Sequence, residues 1–356
     1  MAERKLVTIQ KIEEVQPIEG ADKIEKVRVQ GWWVVSNKGE FKEGDLCVFY
    51  EIDSLLPDIE MYAFLKRGST LKRMLVDGEV KVGIRLKSIK LKGQISQGLV
   101  LPISHFFKNE NGHIDDSFSM NVVGTDVTEE LGVIKFEPPL PAELAGKVKG
   151  FFPGFIPKTD EERVQNLGDM IQRHQGILLY VTEKLDGASA TYYKKDGIFG
   201  VCSRNLELLE TEGNTIWAVA RLLRLEERMP DGYAIQGELI GEGIQSNPLK
   251  IKGQEFYAFN VYEISIGKYL DFSDLHNFLR IKGIKMVPII SDIFRLMHTV
   301  EELIRMADNP SLINPLALRE GIVFRPLTEM RTMMNGVEGR LSFKSISNDY
   351  LLTHEQ

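Results

Sequence analysis

Two hydrophobic rhythms divide the chain. Over roughly the first 140 residues, short alternating or wholly apolar runs are broken by Gly, Asn and Pro. Residues 27–30 and 32–36 read as extended, the second opening on Trp32 and Trp33. Asn37-Lys-Gly-Glu reads as a turn, and residues 44–50 as the next strand. From Val82 to Lys92 apolar and basic residues alternate, but the phase slips near Ser88. Ile84 and Leu86 share one face, and Ile89 and Leu91 fall on the other unless a bulge re-registers them. Residues 93–102 close the set as a turn and a buried strand. Many short strands with such turn signals predict a small all-β barrel over residues 1–140, of the OB-fold type.

Beyond it the rhythm lengthens. Glu137-Pro-Pro-Leu-Pro-Ala-Glu cannot continue either regular element and marks a linker, placed at 141–150. Residues 151–356 then alternate strands and helices. Asn214 caps a helix running toward Met229, with Pro230 as the stop, and Ser273 caps one ending at Gly283. Thr299-Val-Glu-Glu302 has capping-box spacing. Strands are expected at 177–182, 188–193, 233–240, 256–264, 321–325 and 340–344. The first two flank a tight turn holding Lys184, Asp186 and Gly187, and read as a hairpin. The second domain is therefore α+β.

Composition adds bounds. With 356 residues, two domains are the default, and 43% hydrophobic against 27% charged residues is a globular balance. No apolar run suits a membrane span or signal peptide. Cys47 and Cys202 have no near partner in sequence, and the six histidines lack metal-ligand spacing. An intracellular, reducing compartment such as the cytoplasm fits this usage. The net charge of −7 argues against a generic nucleic-acid coat. Locally, though, Lys66, Arg67, Lys72, Arg73, Lys81, Arg85, Lys87, Lys90 and Lys92 face only Asp77 and Glu79 in acidic count, a local +7. That segment is either a phosphate-contacting surface or a solvated face.

Chemistry concentrates in the second domain. Glu183 and Lys184 end one apolar strand, Arg204 and Asn205 follow another, and Glu238 sits inside a third. Glu320 opens a fourth, and Lys344 lies near the C-terminus on a fifth. Charges on core strands are costly unless they are paired, metal-bound or facing a cleft. The ordered set Glu-Lys184-Leu-Asp186-Gly, Ser-Arg204-Asn, Gly-Glu238-Leu, Phe-Tyr-Ala-Phe259-Asn, Glu320-Gly-Ile-Val and Ser-Phe-Lys344 resembles the motif series of covalent nucleotidyltransferases, the superfamily of ATP-dependent DNA and RNA ligases and mRNA capping enzymes.

The resemblance implies a lysine nucleophile, Lys184, that takes AMP from ATP as a phosphoramidate. AMP then passes to a nucleic-acid 5′-phosphate, and a 3′-hydroxyl displaces it. It implies ATP contacts from Glu183, Arg204, Asn205, Glu238, Phe259 (the adenine platform), Glu320 and Lys344. Asp186, Glu238 and Glu320 would hold Mg²⁺ or Mn²⁺, directly or through its waters, and Lys344 with the ion would lower the Lys184 pKa. Gly187 would let phosphate approach. The last motif usually has two lysines one residue apart; this chain has Ser342 at the first, and Arg340 is a substitute candidate. The barrel precedes the catalytic domain, as in one group of ATP-dependent RNA ligases, whereas DNA ligases and GTP-using capping enzymes place theirs after it. That group implies a monomeric enzyme joining RNA 5′-phosphate and 3′-hydroxyl ends across a nick. The barrel would grip RNA through Lys66, Arg67, Lys72, Arg73, Arg85, Lys87 and Lys90, or merely brace the catalytic domain. A DNA ligase, a capping-type enzyme and a non-catalytic RNA-binding protein are the alternatives.

Overall fold

The computed structural model describes residues 5–68, 71–76, 79–106, 123–136, 146–334 and 336–354, the side chains of Arg67 and Leu75 excepted. The proline-rich stretch at 137–143, and with it the start of the expected linker, lies outside the described residues. The chain divides into two compact units, Ala2–Leu140 with Leu351–Gln356, and Pro141–Tyr350.

In the first unit the strand Leu46–Tyr50 lies between Val7–Lys11 and Leu99–Pro102, antiparallel to both. Its alternating side chains explain the two cores. Cys47 and Phe49 pack with Val27, Trp32 and Val100, whereas Val48 and Tyr50 pack with Val7, Leu56 and Ile84. The strands Glu14–Pro17, Ile24–Val29 and Trp32–Asn37 form a meander. The phase slip at Ser88 is not a bulge within one long strand. The strand Glu79–Arg85 stops, and Ile89–Leu91 pairs instead with Gln94–Ser96 across a Lys92-Gly93 turn in which both residues have positive φ. Ser88 is buried at the break and accepts a hydrogen bond from Gln97 Nε2 at 3.2 Å.

Two sheets build the second unit. The larger has seven strands, in the order Val148–Phe151, Leu206–Leu208, Ile198–Cys202, Ala188–Lys195, Tyr233–Gly241, Gln254–Glu263 and Lys268–Tyr269. The smaller has five: Glu162–Arg163, Phe343–Ile346, Gly321–Pro326, Leu178–Lys184 and Ile289–Arg295. The two runs expected to form a hairpin therefore belong to different sheets. Leu178–Lys184 pairs with Gly321–Pro326 and Ile289–Arg295, and Ala188–Lys195 with Ile198–Cys202 and Tyr233–Gly241. The middle of each run is buried on both faces, which suits strands flanked and covered on each side better than a projecting ribbon.

Helices cover the sheets. Asn214 caps Thr215–Leu222, accepting from Trp217 N at 3.3 Å, but the expected single helix breaks at Arg224, which has φ +51°, before Leu225–Arg228 resumes it. The helix Phe272–Lys282 starts after Asp271 rather than at Ser273, and Gly283 ends it at φ +63°. Thr299 and Glu302 complete the capping box of Val300–Arg305. Trp217, Ala220, Leu275 and Leu279 pack on Tyr192, Ile235 and Phe256 of the larger sheet; Met170, Ile171 and Leu303 pack on Leu179, Phe324 and Phe343 of the smaller. Among the described residues no helix is long and apolar enough to cross a membrane.

Candidate active site

The site forms where the chain passes from one sheet to the other. Lys184 is the last residue of its strand and pairs with Gly321, so Glu320 stands just ahead of its neighbour. Leu185, Asp186 and Gly187 then carry the chain across to Ala188, which pairs with Leu239 beside Glu238. Glycine at 187 answers to crowding. A Cβ there would lie 2.3 Å from the Leu239 carbonyl oxygen and 3.0 Å from Glu238 Cγ. The crossing turn thus packs directly against the carboxylate strand, a firmer reason for glycine than the approach of phosphate.

Lys184 Nζ donates to Glu320 Oε1 at 2.5 Å. Burial alone pulls its pKa down, but Glu320, Glu238 and Asp186 outweigh that and hold it above the usual lysine value. The like charge of Lys344, expected to lower the Lys184 pKa, is not among the leading influences on that amine. The Lys344 ammonium lies 3.5 Å from Asp160 Oδ1, and its field falls on Glu320. In the ligand-free protein Lys184 is therefore a paired cation, and its amine could act as a nucleophile only after losing a proton.

The carboxyl groups around it repel one another. Burial, with Glu320 and Asp186 nearby, pushes the Glu238 carboxyl up to about 8, against the pull of Lys184 and Arg204. Glu320 Oε2 is buried without a hydrogen-bond partner. Such crowded hard oxygen donors fit a divalent cation. Among the described residues no three acidic, His or Cys side chains converge closely enough to bind an ion as a compact set, so contact through its waters suits the spacing better than direct chelation.

A pH effect follows from Glu238. Its folded pKa is raised from the ordinary 4.5 to about 8, so the folded state keeps a proton that the unfolded chain has released. This contribution is full below about 4.5 and is lost as pH rises toward about 8. The melting temperature of metal-free, nucleotide-free protein should fall across that window, and Glu238→Gln should flatten the fall. A wild-type curve matching that of Glu238→Gln would refute the assignment.

Cationic partners line the opposite side. Arg204 Nη2 and Lys344 Nζ both approach Asp160, at 3.3 Å to Oδ2 and 3.5 Å to Oδ1. Asn205 Oδ1 accepts from Lys158 Nζ at 2.9 Å. Phe259 is half-buried in an apolar cluster with Leu185, Ile240 and Val287, the Arg325 guanidinium 5.6 Å from its ring centre. Glu183 points elsewhere. Its side chain is buried, accepts from Leu312 N at 2.8 Å, and is raised in pKa chiefly by burial, so only its backbone could meet a nucleotide. Arg340 is not the substitute for the missing lysine: it is bound to both Glu329 oxygens and to Asn260 Oδ1 and stacks over Tyr269. Ser342 is buried. Sequence reading missed Asp160, Arg325 and Tyr350, whose hydroxyl donates to Asp186 Oδ2 at 2.5 Å.

In the first unit the basic segment separates by environment. Arg73 and Lys90 are exposed, and Lys72 and Lys87 are half-buried. Lys66 pairs with Asp58. Arg85 turns inward, 2.6 Å from Asp53 Oδ1 with its guanidinium over Phe136, so it serves the fold before any RNA. The Arg67 side chain lies outside the described residues.

Comparison with known proteins agrees with this organisation. An OB-fold domain model matches residues 6–103 and an RNA ligase model matches residues 178–346. Among solved structures, an apo aspartate-to-alanine mutant of Naegleria gruberi RNA ligase is 42% identical, covering 100% of this chain and 99% of that one, with a TM-score of 0.85. A lysine-to-alanine mutant of the same ligase with ATP and Mn matches at 42% identity over 99% of each chain, with a TM-score of 0.85. The ligase with pyrophosphate matches at the same identity and coverage, with a TM-score of 0.82. No curated protein sequence matches significantly. With 42% identity along essentially its whole length, and an OB-fold domain ahead of the ligase domain, the chain belongs to the ATP-dependent RNA ligases of the covalent nucleotidyltransferase superfamily.

Proposed function

We propose that the protein seals nicked RNA through a lysyl-AMP intermediate on Lys184, inside the cell, where its two buried and unpaired cysteines, Cys47 and Cys202, stay reduced. One observation carries the reading: a lysine amine held 2.5 Å from Glu320 among carboxyl groups that repel one another. The related N. gruberi RNA ligase has been crystallised with ATP and Mn, with AMP and Mn, and with pyrophosphate, which supports the same nucleotide chemistry here.

In the first step the Lys184 ammonium gives up a proton, for which Glu320 is the nearest acceptor. The neutral amine then attacks the α-phosphorus of ATP, forming an N–P bond as the P–O bond to pyrophosphate breaks. Arg204 and Lys344 are placed to neutralise the phosphates. Held by Asp186, Glu238 and Glu320 through its waters, Mg²⁺ or Mn²⁺ would supply positive charge that favours the neutral amine and screens the α-phosphate. Phe259 would face the adenine, with the apolar cluster around Leu185 behind it. AMP next passes to the RNA 5′-phosphate, and the 3′-hydroxyl displaces it as the new phosphodiester forms.

The test is to incubate the protein with radiolabelled ATP or GTP and a divalent cation, then assay sealing of nicks whose 3′-hydroxyl strand is RNA or DNA. Label from ATP alone, and sealing of the RNA nick, are expected. A GMP adduct or preference for an all-DNA nick would redirect the reading to a capping-type enzyme or a DNA ligase. Deleting residues 1–140 should leave adenylylation largely intact and reduce sealing severely, because exposed Arg73 and Lys90 lie on the removed unit. Equal loss of both activities would assign that unit a bracing role instead.

A further inference from the structure

The chain's last described helix, Asn348–His354, has no part in the chemistry above, yet it and the residue before it are tied to one site carboxylate and to the backbone of another carboxylate residue. Tyr350 is buried, and its hydroxyl donates to Asp186 Oδ2 at 2.5 Å. Three residues earlier, Ser347 N donates to the Glu320 carbonyl oxygen at 2.9 Å. The tie is itself fixed. Asp308 Oδ1 accepts from Ser347 Oγ at 2.9 Å and from Asn348 N at 3.0 Å, while Ser347 Oγ accepts from Tyr350 N at 3.1 Å. Ser347 is fully buried.

Asp186 needs such a hold. It lies outside both strands, in the turn between sheets, so no ladder fixes its side chain. A carboxylate in a turn can rotate, and its value as a hard-cation partner depends on which way its oxygens face. We propose that Tyr350 is a positioning residue for nucleotidyl transfer, its hydroxyl fixing one oxygen of Asp186 and hence the orientation in which that carboxylate meets the divalent cation beside Lys184. A buried tyrosine that merely found an acceptor for its hydroxyl would also show the contact. The two cases differ in what removal of the oxygen does.

The experiment uses full-length protein carrying Tyr350→Phe, which keeps the ring and removes the hydroxyl. Unbound Mn²⁺ is followed by electron paramagnetic resonance in the presence of α,β-methylene-ATP, which permits no turnover, alongside the ATP KM for adenylylation. Tyr350→Phe should raise half-saturating Mn²⁺ by about tenfold while leaving the ATP KM within about twofold. In an Asp186→Ala background, with no acceptor left, the same substitution should add nothing. Unchanged Mn²⁺ binding overturns the inference, as does an equal loss in both backgrounds. A general packing defect weakens both backgrounds alike, so a drop in melting temperature does not blur the result. The inference rests on the RNA-ligase reading. Wild-type protein that takes no label from ATP sinks that reading, whereas normal labelling with Tyr350→Phe matching wild type sinks only the role of Tyr350.

Discussion

Lys184→Ala protein is expected to carry no label after incubation with radiolabelled ATP and a divalent cation. Lys184 is the lysine paired with Glu320, whereas the Lys344 ammonium lies 3.5 Å from Asp160 Oδ1. Lys184→Arg sharpens the test. A guanidinium can keep the pairing with Glu320 but does not deprotonate in a protein, so it preserves the charge and loses the nucleophile. Both variants should be inactive in adenylylation, and only the alanine should disturb Glu320 and Glu238. A labelled band from either variant on a denaturing gel would mean that the nucleophile is elsewhere. Given pre-adenylylated RNA, both should still be able to complete the final joining, since that step no longer needs the amine.

The second large effect is on stability. Arg325 is 2% exposed and lies 2.9 Å from Glu161 Oε1. Burial pushes the Glu161 carboxyl up, but Arg325, then Arg340, outweigh it and hold the group below the usual carboxylate range. Arg325→Leu leaves that carboxylate buried beside one cation instead of two. Breaking a buried pair from one side costs about 3–5 kcal/mol, a fall in melting temperature on the order of 10 °C for a unit of this size. Replacing both Arg325 and Glu161 by leucine should recover most of the loss, because no charge is then stranded. The pH signature has the opposite sign to that of Glu238. A depressed carboxyl adds stability above its unfolded pKa, and the gain is lost as pH falls through the folded value. Thermal melts of the single and double variants decide it; an Arg325→Leu protein within about 1 kcal/mol of wild type would contradict the account.

The residues that sequence disclosed are those whose placement breaks a rule. Lys184, Glu238, Glu320 and Lys344 are charges on apolar strands, a costly arrangement that calls for a reason. Capping signals at Asn214 and Thr299 were legible because they involve residues three apart. Pairing between distant strands was not. The Lys184 run looked like half of a hairpin because its true neighbours, at 289–295 and 321–326, lie more than a hundred residues downstream. Arg340 looked available because nothing local revealed Glu329 and Asn260 closing on it. Tyr350 and Asp160 carry no periodic or compositional mark, and only the fold brings them to the site.

Asp160 gives Arg204 and Lys344 a resident counterion. Arg204 and Lys344 already share a carboxylate, and the same short segment is anchored on both sides, Lys158 to Asn205 and Glu161 to Arg325. On the function proposed above, a triphosphate reaching those cations would perform an ion exchange, so its affinity would reflect the difference between two anions rather than the full attraction of one. Tethered on the chain, the evicted carboxylate would stay at high effective concentration and compete for its old partners throughout the reaction. Once pyrophosphate has been severed from the nucleotide, that internal rival would shorten its stay and pull the adenylylation step toward completion.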